Sequence, residues 1–294
     1  MSSGKRKIKH SMFRVLNLQL YNVTIYVKII ISEGGIPMLE NPAFNENNEK
    51  ILCEMNGKNA EMNMNIWVKK LAKGEKYEIF SPENETAVLI LKGNMNIRWN
   101  DRTENMKRKN PFEKTPYCLH VCRGIRISVE AVEDSEFLVQ QTDNEREFEP
   151  VFYKPEDCLY QHFGKGQWEG TGYRICSTMF DYDNAPYSNM VMGEVFNQPG
   201  RWSSYPPHHH PQPEVYYYQF DPPQGFGACF NGDNVFKSTD GAYCTITDGN
   251  DHEQVTAPGY TMYYVWMIRH IDGDPWYKTT RLYSKEHEWL VNAD

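Results

Sequence analysis

Hydrophobic and polar positions alternate along most of this chain with a period of two, the mark of half-buried strands. No long stretch carries the 3.6-residue period of an amphipathic helix. Residues 65–80 (NIWVKKLAKGEKYEIF) read as a strand, a turn and the start of a second strand. Residues 87–99 (AVLILKGNMNIRW) are apolar, turn near Lys92-Gly93-Asn94 and then alternate. Residues 117–129 alternate again and 135–141 (SEFLVQQ) follow. Residues 146–172, with Pro150, Pro155, Gly164, Gly166, Gly170 and Gly172, read as a looser connector. A second series of strands is expected at 173–180, 189–196, 214–220, 242–247 and 260–269, and the tail 283–291 reads as one short helix. Short strands separated by Gly, Asn and Asp turns predict an all-β chain of two similar modules, each a barrel or sandwich.

Composition narrows the class. The 294 residues are 40% hydrophobic, 24% charged and 14% aromatic, an ordinary globular mixture able to bury a core. The formal charge of −8 hides a split: residues 1–37 hold six basic residues against Glu33, a net of +5, which leaves −13 for the rest. An acidic body lacks the basic face that phosphate backbones need, which argues against nucleic acid as a partner. The apolar part of the first segment, 15–31, is broken by Asn17, Gln19, Asn22 and Lys28. It falls short of the ~20 apolar residues of a membrane span, and no small-residue cleavage site follows it. Glu33-Gly34-Gly35 can be encoded by a purine run two codons ahead of Met38, which resembles a bacterial ribosome-binding site before a start codon. Residues 1–37 are therefore expected to be a mistranslated leader, with translation beginning at Met38. Seven cysteines, an odd number without disulfide spacing, predict free thiols in a reducing cytoplasm.

The distinctive chemistry lies in Ser203-Ser204-Tyr205-Pro206-Pro207-His208-His209-His210-Pro211-Gln212-Pro213-Glu214. Residues two apart in an extended chain point to one side. His208 and His210 thus face one point, and Glu214 joins them from the next strand. Imidazoles with a carboxylate suit a divalent transition metal. His252, in Asp251-His252-Glu253-Gln254 just before an apolar strand, completes a set of three histidines and one glutamate. His209 points the opposite way. Cys118, His120 and Cys122 also share one face, but without a second ligand pair they read as ordinary strand residues.

His-x-His-x3-Glu with a later His is similar to the metal pattern of the cupins. The wider stretch resembles the 5-deoxy-glucuronate isomerase family of myo-inositol catabolism. The resemblance is carried by Gly193-Glu194-Val195, Pro199-Gly200-Arg201-Trp202, Ser203-Ser204-Tyr205-Pro206-Pro207-His208, Glu214-Val215-Tyr216-Tyr217-Tyr218 and Asp221-Pro222-Pro223-Gln224-Gly225-Phe226-Gly227. Ala257-Pro258-Gly259-Tyr260 and the tail with Gly273, Pro275-Trp276 and Trp289 fit the same family, and coverage runs from Asn41 to the C-terminus. The resemblance implies a bicupin, two tandem double-stranded β-helix (jelly-roll) barrels. Residues 38–145 would form the first, without a metal motif; 146–172 the connector; and 173–294 the second, which binds metal. The implied ligands are His208, His210, Glu214 and His252, around Zn, Mn or Fe. Three positions depart from the general cupin pattern: Trp202 and Asp221 stand where glycines are usual, and 247–251 replace a Pro-x-Gly turn before His252.

What the resemblance implies is a cytoplasmic, homo-oligomeric enzyme. It would isomerise an aldose to a ketose, 5-deoxy-D-glucuronate to 5-dehydro-2-deoxy-D-gluconate, with no membrane or nucleic-acid partner. Tyr218 and Tyr264 are candidates for proton transfer or hydrogen bonding. A sugar acid in an acidic body needs a local cation, best supplied by an arginine fork. Among Arg174, Arg201, Arg269 and Arg281, Arg174 is the first choice because it lies on a strand of the metal-bearing module; Gln224 is a further substrate-binding candidate. The alternatives are the sister isomerase acting on 4-deoxy-L-threo-5-hexosulose uronate in pectin breakdown, an iron and oxygen-dependent cupin dioxygenase, and a non-enzymatic sugar-acid-binding cupin.

Overall fold

The alternating pattern folds into strands. The computed structural model describes residues 15–20, 23–28, 39–247, 249–279 and 281–292, which form β-strands and short 3-10 turns but no α-helix. Among the described residues no helix is long and apolar enough to cross a membrane. The chain divides into two units, Met1–Ile36 and Pro37–Asp294. In the first, Val15–Leu20 pairs antiparallel with Val23–Lys28. Most of residues 1–37, where the leader is expected, lie outside the described residues.

In the second unit a nine-stranded sheet takes the chain from Glu49–Cys53 to Val151–Tyr153. Seven- and four-stranded sheets are built from Leu159–Phe163 onward, with one exception. Leu39–Glu40, from the start of the unit, pairs antiparallel with Tyr243–Ile246 of the seven-stranded sheet.

Alternation sorts the side chains into three apolar clusters. Along Asn84–Trp99, Val88 and Ile90 meet Val129 and Phe137 inside the first sheet system, while Ala87, Leu89 and Leu91 face a second cluster. Along Glu214–Asp221, Tyr216, Tyr218 and Phe220 join Trp266 and Ile268 in a third cluster. Val215 and Tyr217 turn to the second. That second cluster is shared, uniting Leu52, Ile66 and Leu138 with Tyr263, Val265 and Met267. Strands buried on both faces read as nearly continuous apolar runs, which is why 87–91 and 262–268 show little polar interruption.

Several elements differ from expectation. Lys92-Gly93-Asn94 does not reverse the chain: Asn84–Trp99 is a single strand of 16 residues. It bends at Gly93, whose φ of 108° suits glycine alone. A Cβ there would lie 2.5 Å from the Asp134 carbonyl oxygen. Before the bend the strand pairs with Ser135–Asp143, and after it with Arg102–Arg108 and Ile127–Ala131. Asn65–Leu71 and Lys76–Ile79 are strands as expected, but they pair with different partners and not with each other. The connector carries two edge strands, Val151–Tyr153 and Leu159–Phe163, whose short apolar runs are masked by flanking Pro and Gly. The tail forms the strand Leu282–Tyr283 and a 3-10 turn at Glu288–Asn292. Phe226–Asn231 and Asn234–Thr239 add a hairpin closed at Gly232-Asp233 beyond the expected strands.

Candidate functional site

The proline-rich segment ahead of Glu214 has few backbone donors and stays extended. His208–His209 pairs antiparallel with Leu282–Tyr283 of the C-terminal segment. Glu214 opens the strand Glu214–Asp221, and His252 stands just before Gln254–Thr256. His208, His210, Glu214 and His252 are all buried.

The three imidazoles are oriented in the same way. Nδ1 of His208 lies 2.8 Å from the Pro206 carbonyl oxygen, Nδ1 of His210 3.0 Å from that of Gln212, and Nδ1 of His252 2.8 Å from that of Asn250. A carbonyl can only accept, so each Nδ1 carries a proton and donates it. In the neutral ring Nε2 is then a bare lone pair, the metal-binding form. Burial pushes the His208 pKa well down, aided by the Arg281 charge, and pushes that of His252 down to about 4. Both rings therefore favour the neutral form at neutral pH. Facing them is a carboxylate: Glu214 Oε2 lies 3.1 Å from His210 Nε2 and 3.5 Å from His252 Nε2. Bare lone pairs against a carboxylate oxygen repel unless a cation stands between them. The ligand atoms of His210, Glu214 and His252 lie within 4.8 Å of one another. This donor set fits a divalent metal such as Zn, Mn or Fe. His208 is outside that tight trio, its ring centroid 4.9 Å from that of His252.

These groups open on one cavity. Tyr216, Tyr264, Trp266 and Trp276 wall it, with three cations, Arg174, Lys278 and Arg281. The Tyr264 hydroxyl donates to Ser203 Oγ at 3.0 Å, and the Tyr216 hydroxyl lies 3.0 Å from Ser204 Oγ. Burial raises both phenols, Tyr264 to about 12, so at neutral pH they are donors and not bases. The Arg174 and Arg281 guanidinium groups lie 5.2 and 5.5 Å from the centre of the Phe163 ring. Arg174 donates from its terminal nitrogens to Gly172 O at 3.0 Å and Tyr205 O at 2.8 Å. Lys278 Nζ is 2.5 Å from the Asp181 carboxylate. Burial, with the neighbouring Arg281 charge, lowers the Arg174 pKa to about 10, which still leaves it a cation.

His208, His210, Glu214, His252, Tyr264 and Arg174 thus line one cavity, as the sequence pattern suggests. Tyr218 and Gln224 do not join them. Tyr218 lies on the same strand face as Tyr216 but one pleat farther along, and its hydroxyl donates to Gln254 Oε1 at 2.8 Å. Gln224 is exposed in the turn between Glu214–Asp221 and Phe226–Asn231. Alternation tells which face a residue takes but not how deep along the barrel it sits. His209 turns away, its Nδ1 2.9 Å from the Asp251 carboxylate. His120 Nε2 lies 2.9 Å from Glu85, a buried pair, and Cys118 packs in the shared apolar layer. Phe163 and Lys278 also line the cavity. No motif marks them; Lys278 arrives through the pairing of the C-terminal segment with His208–His209, which sequence spacing does not reveal.

The chain is 26% identical over 279 residues to the 5-deoxy-glucuronate isomerase of Bacillus licheniformis, covering 86% of this chain and 98% of that protein. Among solved structures it resembles an IolB-like protein from Salmonella typhimurium LT2, with a TM-score of 0.76 and 21% identity over 86% of this chain and 98% of the other. It also shares its fold with the oxalate decarboxylase of Lactobacillus farciminis, with a TM-score of 0.61 and 12% identity over 88% and 94% of the two chains. The model of the KduI/IolB family matches residues 38–290, and the chain belongs to that family.

Proposed function

We propose that this member of the KduI/IolB family is a metal-dependent aldose–ketose isomerase that converts 5-deoxy-D-glucuronate to 5-dehydro-2-deoxy-D-gluconate in inositol catabolism. The carrying observation is the trio His210, Glu214 and His252, with Nε2 atoms set against a carboxylate at the wall of a cavity that also holds cations. The similarity to 5-deoxy-glucuronate isomerases along most of the chain supports the substrate. His208, His210, Glu214 and His252 are the proposed ligands. A divalent metal held by them would supply Lewis acidity. The backbone carbonyls of Pro206, Gln212 and Asn250 hold the three rings in the binding tautomer. The Tyr216 and Tyr264 phenols, hydrogen-bonded to Ser204 and Ser203, hold the wall of the cavity, and Trp266 and Trp276 limit water.

The two interior clusters support a division into two barrels, 38–145 and 173–294, with the donors in the second alone. Seven buried free cysteines suit a reducing cytoplasm.

The test is turnover of 5-deoxy-glucuronate by purified protein, beside 4-deoxy-L-threo-5-hexosulose uronate, with metal analysis. Turnover of the first and a bound divalent metal are expected. His210→Ala should lose both metal and activity. A variant that keeps both, or a wild type that turns over only the pectin-derived uronate, overturns the assignment.

A further inference from the structure

We infer that Trp276 and Arg281, on the C-terminal segment, form the carboxylate receptor of this cavity, and that Arg281, not Arg174, takes the substrate's carboxylate. The inference deepens the isomerase reading and rests on it for the identity of the acid.

Charge balance is the first reason. Among the lining residues Glu214 is the single carboxylate, and it faces the histidines. Lys278 is matched by Asp181. Arg174, buried, and Arg281, half-buried, have no carboxylate partner among the described residues, and a cation withdrawn from water without a counter-charge is disfavoured. An anion in the cavity removes that cost.

Donor availability separates the two arginines. Arg174 spends hydrogens of both terminal nitrogens on Gly172 and Tyr205 carbonyls. Those bonds tie the turn before its own strand to the proline-rich segment, which makes Arg174 a positioning residue. Arg281 has no hydrogen-bond partner among the described residues, and its Nε is buried and unsatisfied. Trp276 Nε1, from the same segment, is also buried without a partner. Both groups border the cavity, and both are donors that an oxyanion can satisfy.

Placement completes the case. The segment is fixed to the ligand-bearing loop by the pairing between Leu282–Tyr283 and His208–His209 and just beyond it: Ser284 N donates to Pro207 O at 3.1 Å, and the Ser284 hydroxyl donates to the Asp251 carboxylate. The register sets Tyr283 opposite His208 and Leu282 opposite His209, so Arg281 follows at the end of the pairing nearest His210. An open-chain six-carbon acid placed with its reacting carbonyl at the His/Glu cluster presents its far carboxylate to the Arg281 fork. The receptor selects an anion over the neutral sugar of the same length.

The test uses wild-type protein, Arg281→Gln and Arg281→Lys. Turnover of 5-deoxy-glucuronate is measured, and binding of D-gluconate and its uncharged counterpart D-glucitol is measured by calorimetry. The wild type should bind gluconate well above glucitol. Arg281→Gln should raise KM and the gluconate Kd about 10- to 100-fold, the loss of a charged hydrogen-bonded contact, with native metal content and a smaller change in kcat. Arg281→Lys, which keeps the charge but not the fork, should fall between. Unchanged KM and gluconate affinity in a metal-loaded Arg281→Gln protein overturn the receptor and leave the reaction standing. If Arg281→Gln does not fold, wild-type affinity in Arg281→Lys overturns the fork. Gluconate binding that depends on Arg281, without turnover of 5-deoxy-glucuronate, overturns the reaction and leaves the receptor standing.

Discussion

Replacing Arg108 by Met should destabilise the protein severely, and replacing its partner Glu194 as well should restore part of the loss. The pair crosses the apolar layer shared by the sheets. Arg108 ends the strand Arg102–Arg108, and Glu194 lies in Met190–Asn197 beside Val195, a lining residue of the cavity. Arg108 Nη1 and Nη2 donate to the two Glu194 oxygens at 2.6 and 3.0 Å, and the Tyr263 hydroxyl donates to Oε1 at 2.6 Å. The guanidinium also donates to Ile90 O at 3.0 Å and Pro111 O at 2.9 Å. Neither side chain is exposed. Burial alone would lower the Arg108 pKa, but the Glu194 carboxylate and Tyr263 more than offset it and keep the guanidinium charged. Removing one partner strands the other as a buried charge, at about 3–5 kcal/mol. Two such losses sum to about 6–10 kcal/mol if independent. In Arg108→Met/Glu194→Met no buried charge remains; the Tyr263 hydroxyl and two carbonyls lose a partner, at about 1–3 kcal/mol each before relaxation. The double variant should therefore lie about 1–3 kcal/mol above additivity. Urea unfolding followed by circular dichroism at pH 7 gives the four free energies of the cycle. Additivity within about 0.5 kcal/mol would refute the reasoning, since it would mean that neither charge depends on the other.

Chelation should abolish activity, and re-addition of Zn, Mn or Fe should restore it and raise the melting temperature with metal concentration; full activity in the chelated, metal-free protein would exclude a metal role. Gly193→Ala should lower kcat/KM at least tenfold, since a Cβ there would lie 2.3 Å from the Trp266 ring, which walls the cavity, and overpacking of this kind costs about 1–3 kcal/mol; wild-type kinetics would show that the ring yields without entering the site. Stability should fall as pH rises from about 10 to about 12. Burial raises Tyr264 and Tyr243 to about 12 in the fold, against an unfolded value near 10, so in that window the folded state holds more protons and each such tyrosine costs about 1.4 kcal/mol per pH unit. Urea midpoints at pH 9, 10 and 11 measure this, and a flat profile would contradict it.

The site was more legible in the sequence than the sheets were. His208, His210 and Glu214 sit at spacings that extended geometry converts into a common direction, and His252 precedes a strand that returns to the same sheet system. Backbone carbonyls then fix each ring, and proline at 206 and 211 leaves that segment few other ways to fold. The pairing partners were less legible. Gly93 looks like a turn because glycine and asparagine mark turns, yet Ser135 and the Asp134 carbonyl crowd it into a bend within one strand. Tyr218 and Tyr264 have the same face parity, and only the barrel's depth separates the residue that borders the cavity from the one bonded to Gln254. Lys278 and Arg281 belong to a segment whose place depends on a two-residue pairing some seventy positions away, a distance no periodicity spans.

The acidity of the body and the anionic nature of the proposed substrate are compatible because the two act over different distances. Residues 38–294 carry −13, a field that opposes approach of an acid. At physiological ionic strength, exposed charges are screened over about 8 Å, so most of that field is damped before substrate reaches the mouth. Inside the cavity screening is weaker. There Arg174 and Arg281 both lie against the Phe163 ring, and the carboxylate that most nearly balances them, Glu214, is turned to the histidines. Any divalent metal at that carboxylate makes the cavity more positive still. Selectivity for an acid is then set by a few buried groups and not by the net charge. Raising ionic strength should accordingly alter gluconate affinity far less than Arg281→Gln does; a steep salt dependence in the wild type, equal in size to the effect of the substitution, would place the recognition at the surface instead.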